Sequence, residues 1–249
     1  MTNGGRRIAT ATGAMLSDPA CLGNPPQGAP ESLFDPEFWR KQGGLSDVDS
    51  GRGSAWFIAS GERQWVLRHF RRGGFIARVS RDRYVWMGED RVRAFAEWRL
   101  LDALTQRGLP VPRPVAARYV RTGVTYRCDL ITQRIAATKP LSAALELDAL
   151  PESLWRAAGA AIARLHHAGV DHADLNAHNI LIGVNGAVSI IDFDRGRMRG
   201  QGAWSSRNLQ RLRRSLAKIS RAMPSDRYSA QTWDWFMAGY RDVPVREDG

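Results

Sequence analysis

One polar stretch, His172-Ala173-Asp174-Leu175-Asn176-Ala177-His178-Asn179, constrains this chain more than any other feature of its sequence. A short hairpin signal follows at Asn185-Gly186, and the chain then continues with Ile191-Asp192-Phe193-Asp194. A hairpin at this point would fold the second acidic group back beside the first polar stretch. The arrangement is typical of a site that holds a metal ion and a reacting group.

The spacing within these segments fits phosphoryl transfer. That reaction needs hard oxygen ligands for Mg²⁺ and one carboxylate close to the acceptor hydroxyl. We predict that Asp174 orients the hydroxyl and accepts its proton, and that Asn179 and Asp192 bind the metal. His172 is expected to brace the loop rather than to perform acid-base chemistry.

The charge of the chain indicates an anionic partner. Lysine and arginine number 36 against 25 acidic residues, a formal net charge of +11, and only Lys41, Lys139 and Lys218 are lysines. Arginine binds phosphate and carboxylate groups through two parallel hydrogen bonds. Nucleic acid, an anionic membrane surface and a phosphorylated small molecule all remain compatible with this charge.

The first half of the chain is predicted to be rich in strands. Residues 1–31 lack periodicity and are interpreted as a flexible lead-in, so that the fold begins near Leu33. Hairpins are predicted over 55–68 and 115–131, with turns at Gly61-Glu62 and Thr122-Gly123. Between them, a helix is predicted from apolar residues that share one face. These are Phe95, Trp98, Leu101 and Leu104.

The second half is predicted to be mainly helical. One helix begins at Pro151-Glu152 and ends at Gly169, and two more occupy about 206–222 and 229–241. These patterns predict an α+β fold of two lobes: a β-rich N-lobe over 32–133 and an α-rich C-lobe over 134–249.

The order of the polar motifs resembles the protein-kinase-like fold, whose signature is His-x-Asp-x-x-x-x-Asn, a hairpin and Asp-Phe-x. Gly51 and Gly53 lie in the turn before the first hairpin, where glycines let backbone amides approach nucleotide phosphates, although such a turn is often only a turn. Glu97 resembles the glutamate that pairs with the phosphate-binding lysine of this fold. The lysine is absent, and Arg68 stands at the matching strand position.

Further motifs resemble one family within that fold, the lipopolysaccharide kinases that act on 3-deoxy-D-manno-octulosonic acid (Kdo). The matching segments include Leu33-Phe34-Asp35-Pro36, Leu67 to Gly74, Phe95 to Leu101 and Leu109-Pro110-Val111-Pro112. The C-lobe looks trimmed relative to that of a protein kinase. The resemblance implies ATP-dependent phosphorylation of the 4-hydroxyl of a Kdo residue on a lipid A precursor, in lipopolysaccharide core assembly.

The same resemblance implies ATP and Mg²⁺ as cofactors, with Gln133 and Ile135 as further nucleotide contacts. Arg68, His69, Arg71 and Arg72 are predicted to form a basic loop beside the site. Within it, Arg71 and Arg72 are candidates for binding the anionic acceptor, although charged segments often only face water. The implied location is the cytoplasmic face of the inner membrane, with peripheral attachment. Two unpaired cysteines and the lack of a long apolar run agree with this location.

The predicted helix over 206–222 has a basic flank. Its cations are Arg207, Arg211, Arg213, Arg214, Lys218 and Arg221, around an apolar row of Leu209, Leu212, Leu216 and Ile219. Such a row is more often core packing, yet the flank could lie on anionic lipid.

Two other interpretations remain open from the sequence. Another saccharide or aminoglycoside kinase of the same fold would carry the same Asp174, Asn179 and Asp192 pattern. A non-catalytic basic pseudokinase would explain Arg68 at the lysine position. Nucleic acid is not expected as a partner, because no recognisable nucleic-acid module accompanies the basic residues.

Overall fold

A computed structural model describes residues 5–23, 30–47, 55–71, 82–224 and 226–244. The described strands are β1 Arg6–Thr10, β2 Gly13–Ser17, β3 Leu45–Asp47, β4 Ala55–Ser60, β5 Arg63–His69, β6 Tyr84–Val85, β7 Pro114–Thr122, β8 Thr125–Gln133, β9 Thr138–Pro140, β10 Val170–Asp171, β11 Ile180–Gly183, β12 Val188–Ile190 and β13 Arg197–Met198. The described α-helices are α1 Pro19–Leu22, α2 Pro36–Lys41, α3 Arg93–Gln106, α4 Leu141–Leu147, α5 Glu152–His167, α6 Trp204–Ile219 and α7 Ala230–Arg241.

The chain divides into two compact units, and its fold is mixed α+β as predicted. The first unit comprises Met1–Ala103 and Pro112–Arg134, and the second comprises Leu104–Val111 and Ile135–Gly249. The division after residue 134 lies one residue from the predicted boundary. Residues 104–111, which the sequence analysis assigned to the N-lobe, belong to the second unit.

The first unit is built on one antiparallel sheet in the order β1-β2-β7-β8-β5-β4-β3, with β6 paired to β8. Successive side chains of a strand point to opposite faces of the sheet, so adjacent residues of β5 have different surroundings. Trp65 and Leu67 belong to a buried core that also contains Trp39 of α2. Arg68, between Leu67 and His69, lies on the other face and contacts Glu97 of α3. Both predicted hairpins are confirmed as β4–β5 and β7–β8.

The prediction of a flexible lead-in is wrong for residues 6–17. β1 and β2 form an antiparallel hairpin, and β2 pairs along its length with β7. Met15 is fully buried in the core of the first unit. The apolar run Ala14-Met15-Leu16 is too short to indicate a strand by itself, and pairing with a strand distant in sequence stabilises it. Residues 1–4 and 24–29 of the predicted lead-in lie outside the described residues.

The second unit is organised by the packing of α5 against α7. A Cβ atom at Gly159 would lie 2.0 Å from the carbonyl oxygen of Phe236, and one at Gly239 would lie 2.1 Å from that of Arg156. The two helices therefore approach each other at positions that exclude any side chain. The predicted helices are confirmed as α5, α6 and α7, and the predicted hairpin as β11–β12. A third strand, β9, completes this small sheet.

Candidate active site

The polar stretch over residues 172–179, called here the Asp174 loop, connects β10 to β11 in the second unit. Its conformation depends on the backbone carbonyl oxygen of Asp174. That oxygen accepts hydrogen bonds from the side-chain amides of Asn176 at 3.0 Å and Asn179 at 2.9 Å. Asn179 is only 8% exposed, and the bond fixes the orientation of its amide group. With Nδ2 committed as a donor, Oδ1 is the atom that can ligate a cation.

The backbone also holds Asp192 beside this loop. The N–H of Ile191 donates to the carbonyl oxygen of Asn179 at 3.0 Å, so the residue before Asp192 is bonded directly to the loop. Asp192 itself has a φ of 63°, which is unusual for a residue other than glycine. Strained conformations of this kind concentrate at functional sites. The structure therefore brings together Asp174, Asn179 and the backbone that carries Asp192.

His172 braces the loop, as predicted. Its side chain is fully buried and its ring lies 4.7 Å from that of Phe193. Nδ1 accepts from the N–H of Asp174 at 3.2 Å, and Nε2 lies 3.0 Å from the carbonyl oxygen of Ile191. A neutral ring with its proton on Nε2 satisfies both contacts, and burial lowers the pKa of His172, which favours that form.

Helix α6 supports the loop through residues that the sequence analysis did not identify. Asn208 accepts from the N–H of His172 at 3.0 Å and donates to the carboxylate of Asp171 at 3.0 Å. The same carboxylate pairs with Arg199 at 2.9 Å. Further along the helix, Ser215 accepts from the N–H of Ala177 at 3.3 Å. The sequence feature that could have indicated this contact is the position of Asn208. It is a polar residue four positions from both Trp204 and Leu212, on the buried face of an amphipathic helix.

The carboxylate of Asp174 faces outward. Its side chain is 63% exposed, and Oδ1 lies 3.8 Å from a guanidinium nitrogen of Arg211 on α6. An exposed carboxylate on a rigid loop is accessible to a substrate hydroxyl.

In the first unit, the structure pairs Arg68 of β5 with Glu97 of α3. Glu97 is only 3% exposed, and the Arg68 guanidinium also lies 4.6 Å from the centre of the Phe70 ring. This pair occupies the strand and helix positions at which the sequence analysis expected a phosphate-binding cation and its acidic partner. The guanidinium is thus held in one orientation by a buried carboxylate and an aromatic ring.

The other predicted site residues are placed as follows. Gly51, Gly53 and Arg72 lie outside the described residues. Gln133 ends β8, and its Nε2 lies 3.7 Å from Sγ of Cys21. The carbonyl oxygen of Ile135 accepts from the hydroxyl of Thr138 at 2.8 Å, and Arg71 is exposed just beyond β5.

The expectation that Arg68 and His69 belong to a basic loop is wrong, because both lie within β5. His69 contacts the buried carboxylate of Asp129 at 2.6 Å, and Arg118 binds the other oxygen of the same carboxylate at 2.6 Å. His69 and Arg118 are therefore committed to structural pairs in the first unit. Of the predicted basic loop, only Arg71 is both described and exposed.

The β-rich unit contains a cation held by a helix glutamate. The helical unit contains an Asp-x-x-x-x-Asn loop that is followed by Asp-Phe. Together these features define a protein-kinase-like phosphotransferase. Comparison with known proteins gives the family. Residues 36–240 match the model of the lipopolysaccharide kinase (Kdo/WaaP) family. The chain belongs to this family.

Individual relatives agree with the family match. A protein of Stenotrophomonas maltophilia (strain K279a) named 3-deoxy-D-manno-octulosonic acid kinase is 48% identical over 83% of this chain and 81% of its own length. Proteins of the same name from Xanthomonas euvesicatoria pv. vesicatoria (strain 85-10) and Vibrio parahaemolyticus serotype O3:K6 (strain RIMD 2210633) are 48% and 42% identical. They cover 83% and 76% of this chain, and 81% and 79% of their own lengths. Within the described residues, no helix combines the length and the apolar character needed to cross a bilayer.

Proposed function

We propose that this protein phosphorylates the 4-hydroxyl of a Kdo residue on a lipid A precursor, with ATP as the phosphate donor, in lipopolysaccharide core biosynthesis. The observation that carries the proposal is the hydrogen-bonded Asp174 loop, in which Asn179 is bonded to Asp174 and the backbone before Asp192 is bonded to Asn179. The family membership and the names of the relatives support the choice of acceptor.

Asp174 is the proposed catalytic residue. Its exposed carboxylate would accept a hydrogen bond from the acceptor hydroxyl and orient the oxygen for attack on the γ-phosphorus. It would take up the proton as the new P–O bond forms, while the bond from the γ-phosphorus to the bridging oxygen breaks and ADP leaves. The loop fixes the backbone of Asp174 through the amides of Asn176 and Asn179, so little reorientation is needed when the acceptor binds.

Asn179 and Asp192 are the proposed Mg²⁺ ligands. The donor set suits this ion, because an amide oxygen and a carboxylate are hard oxygen ligands and Mg²⁺ usually takes only one or two ligands from the protein. The orientation of the Asn179 amide, with Nδ2 bonded to the loop, makes its Oδ1 the ligating atom. When bound, the ion would neutralise charge on the phosphates of ATP.

Arg68 is the proposed phosphate-binding cation of the first unit, held by Glu97 and Phe70. Gly51, Gly53, Gln133 and Ile135 remain proposed nucleotide contacts. Arg71 and Arg72 remain proposed contacts for the anionic acceptor. Because the acceptor is a lipid, we also propose peripheral attachment at the cytoplasmic face of the inner membrane, which high salt would weaken.

The test is to incubate the purified protein with ATP and Mg²⁺ and, in separate reactions, a Kdo-bearing lipid A precursor, a heptose acceptor and an aminoglycoside. We expect one phosphate on the Kdo-bearing acceptor, with its position assigned to the 4-oxygen by phosphorus-coupled NMR. Transfer to heptose or the aminoglycoside, with the Kdo acceptor unchanged, would overturn the proposal.

A further inference from the structure

Helix α6 presents a continuous row of cations to solvent. The row, called here the basic stripe, consists of Arg207, Arg211, Arg214, Lys218 and Arg221, all of them exposed. They are spaced alternately four and three residues apart, which places them on one side of the helix and of the turn that follows it. At 1.5 Å per residue the stripe is about 20 Å long.

The opposite side of α6 fixes the orientation of this stripe. Leu212 and Leu216 are completely buried, and Trp204 and Asn208 are almost so. Two members of the predicted apolar row, Leu212 and Leu216, are therefore core packing, and the helix cannot rotate its cations away from solvent without exposing these side chains.

The stripe is not neutralised by the part of the protein that the structure describes. No acidic residue occurs in α6. Arg211 is within 4.0 Å of one carboxylate, that of Asp174, and no ion pair to the described residues involves Arg207, Arg214, Lys218 or Arg221. Like charges three or four positions apart on a helix repel each other, so this arrangement costs stability within the protein. An external anionic surface would relieve that repulsion.

The position of the stripe links it to the proposed reaction. Arg211 lies 3.8 Å from the Asp174 carboxylate, and the remaining members extend from it in both directions along α6. A row of cations about 20 Å long on an exposed helix face extends beyond the reach of one small ligand, and it fits a surface that carries many phosphate groups. Binding to such a surface would place its outermost hydroxyl groups close to Asp174.

We propose that the basic stripe docks the protein on the phosphate groups of an anionic lipid surface and thereby delivers a membrane-held acceptor to Asp174. This inference rests on the proposed function, since it takes the acceptor to be a lipid. It adds a docking element in the second unit to the acceptor contacts proposed at Arg71 and Arg72. Arg211 adjoins Asp174, whereas Arg214, Lys218 and Arg221 serve docking alone.

The first experiment measures vesicle binding. The variant R214Q/K218Q/R221Q is compared with the control R6Q/K41Q/R107Q, which removes the same charge from exposed positions outside the stripe. Vesicles contain phosphatidylcholine with or without phosphatidylglycerol. Wild type and control are expected to sediment with the anionic vesicles. The stripe variant should bind about a hundredfold more weakly, because each of its three lost basic residues contributes roughly fivefold at such a surface. Equal binding by the two variants would overturn the proposal.

The second experiment separates docking from catalysis. Phosphorylation is measured with the Kdo acceptor embedded in anionic vesicles and with a deacylated, water-soluble Kdo acceptor. The stripe variant should lose at least tenfold in rate on vesicles and stay within a few-fold of wild type on the soluble acceptor. A folded stripe variant that loses both activities equally would overturn docking and assign the stripe to the sugar itself. Binding of single-stranded RNA by the stripe, without binding of vesicles, would also overturn docking on lipid. Failure of wild type on both acceptors would instead reject the proposed function.

Discussion

Asn208 of α6 donates from Nδ2 to the carboxylate of Asp171 at 3.0 Å, and its Oδ1 accepts from the N–H of His172 at 3.0 Å. One buried amide therefore ties a helix to the residues that open the Asp174 loop. This contact makes α6 part of the framework that positions the proposed catalytic carboxylate.

Asn208→Ala should lower kcat at least tenfold with little change in the KM for ATP, because the loop would lose its anchor while the first unit is untouched. Leaving the N–H of His172 unsatisfied and removing one partner of the Asp171 carboxylate should also reduce the free energy of unfolding by about 1–3 kcal/mol. Gln210→Ala, an exposed change on the same helix, is the control. A positioning role would be refuted by a variant that loses stability but keeps its kcat.

Arg68→Ala should raise the KM for ATP by about tenfold or more, since the cation that Glu97 and Phe70 hold would be lost. Arg68→Lys is the matched variant, and it should retain activity within a few-fold if charge matters more than guanidinium geometry. Steady-state kinetics at varied ATP concentration will measure the KM for ATP of both variants. A silent Arg68→Ala would show that a different residue serves the nucleotide.

The sequence predicted the Asp174 loop because its function depends on a local pattern of residue types. It also predicted most helices and hairpins, whose periodicity and turn residues are local as well. The β1–β2 hairpin was missed because pairing with β7, a strand distant in sequence, stabilises it. The contact of Asn208 with the Asp174 loop was missed because the partners of Asn208 are more than thirty residues away in sequence. His69 was misassigned to a loop because only the cross-strand register with Asp129 shows that it is committed to a buried carboxylate.

Asp192→Asn should raise the Mg²⁺ concentration needed for nucleotide binding at least tenfold, because a charged oxygen ligand would be replaced by a neutral one. Asparagine is preferred to alanine here, since it tolerates the positive φ of this position better. Asp194→Asn removes the same charge nearby and serves as the control. An unchanged Mg²⁺ titration in Asp192→Asn, with a shifted one in Asp194→Asn, would transfer the role to Asp194.

Stability should fall as the pH is lowered from about 6.5 to 4, in part because of His166. Burial lowers the pKa of this histidine to about 4, so the folded protein keeps it neutral while the unfolded chain binds a proton. The shift corresponds to about 3 kcal/mol of stability lost across this range. Urea unfolding of His166→Gln should show a shallower pH dependence, whereas the exposed neighbour variant His167→Gln should behave like wild type. Parallel curves for His166→Gln and wild type would contradict this assignment.

The rate at which Asp174→Asn transfers phosphate to the Kdo-bearing lipid A precursor decides whether Asp174 is the catalytic residue. The variant keeps the backbone hydrogen bonds of the loop and removes only the proton acceptor. We expect a folded protein that binds ATP like wild type and transfers phosphate at least about a hundredfold more slowly. A rate within a few-fold of wild type would contradict it and remove Asp174 from the reaction.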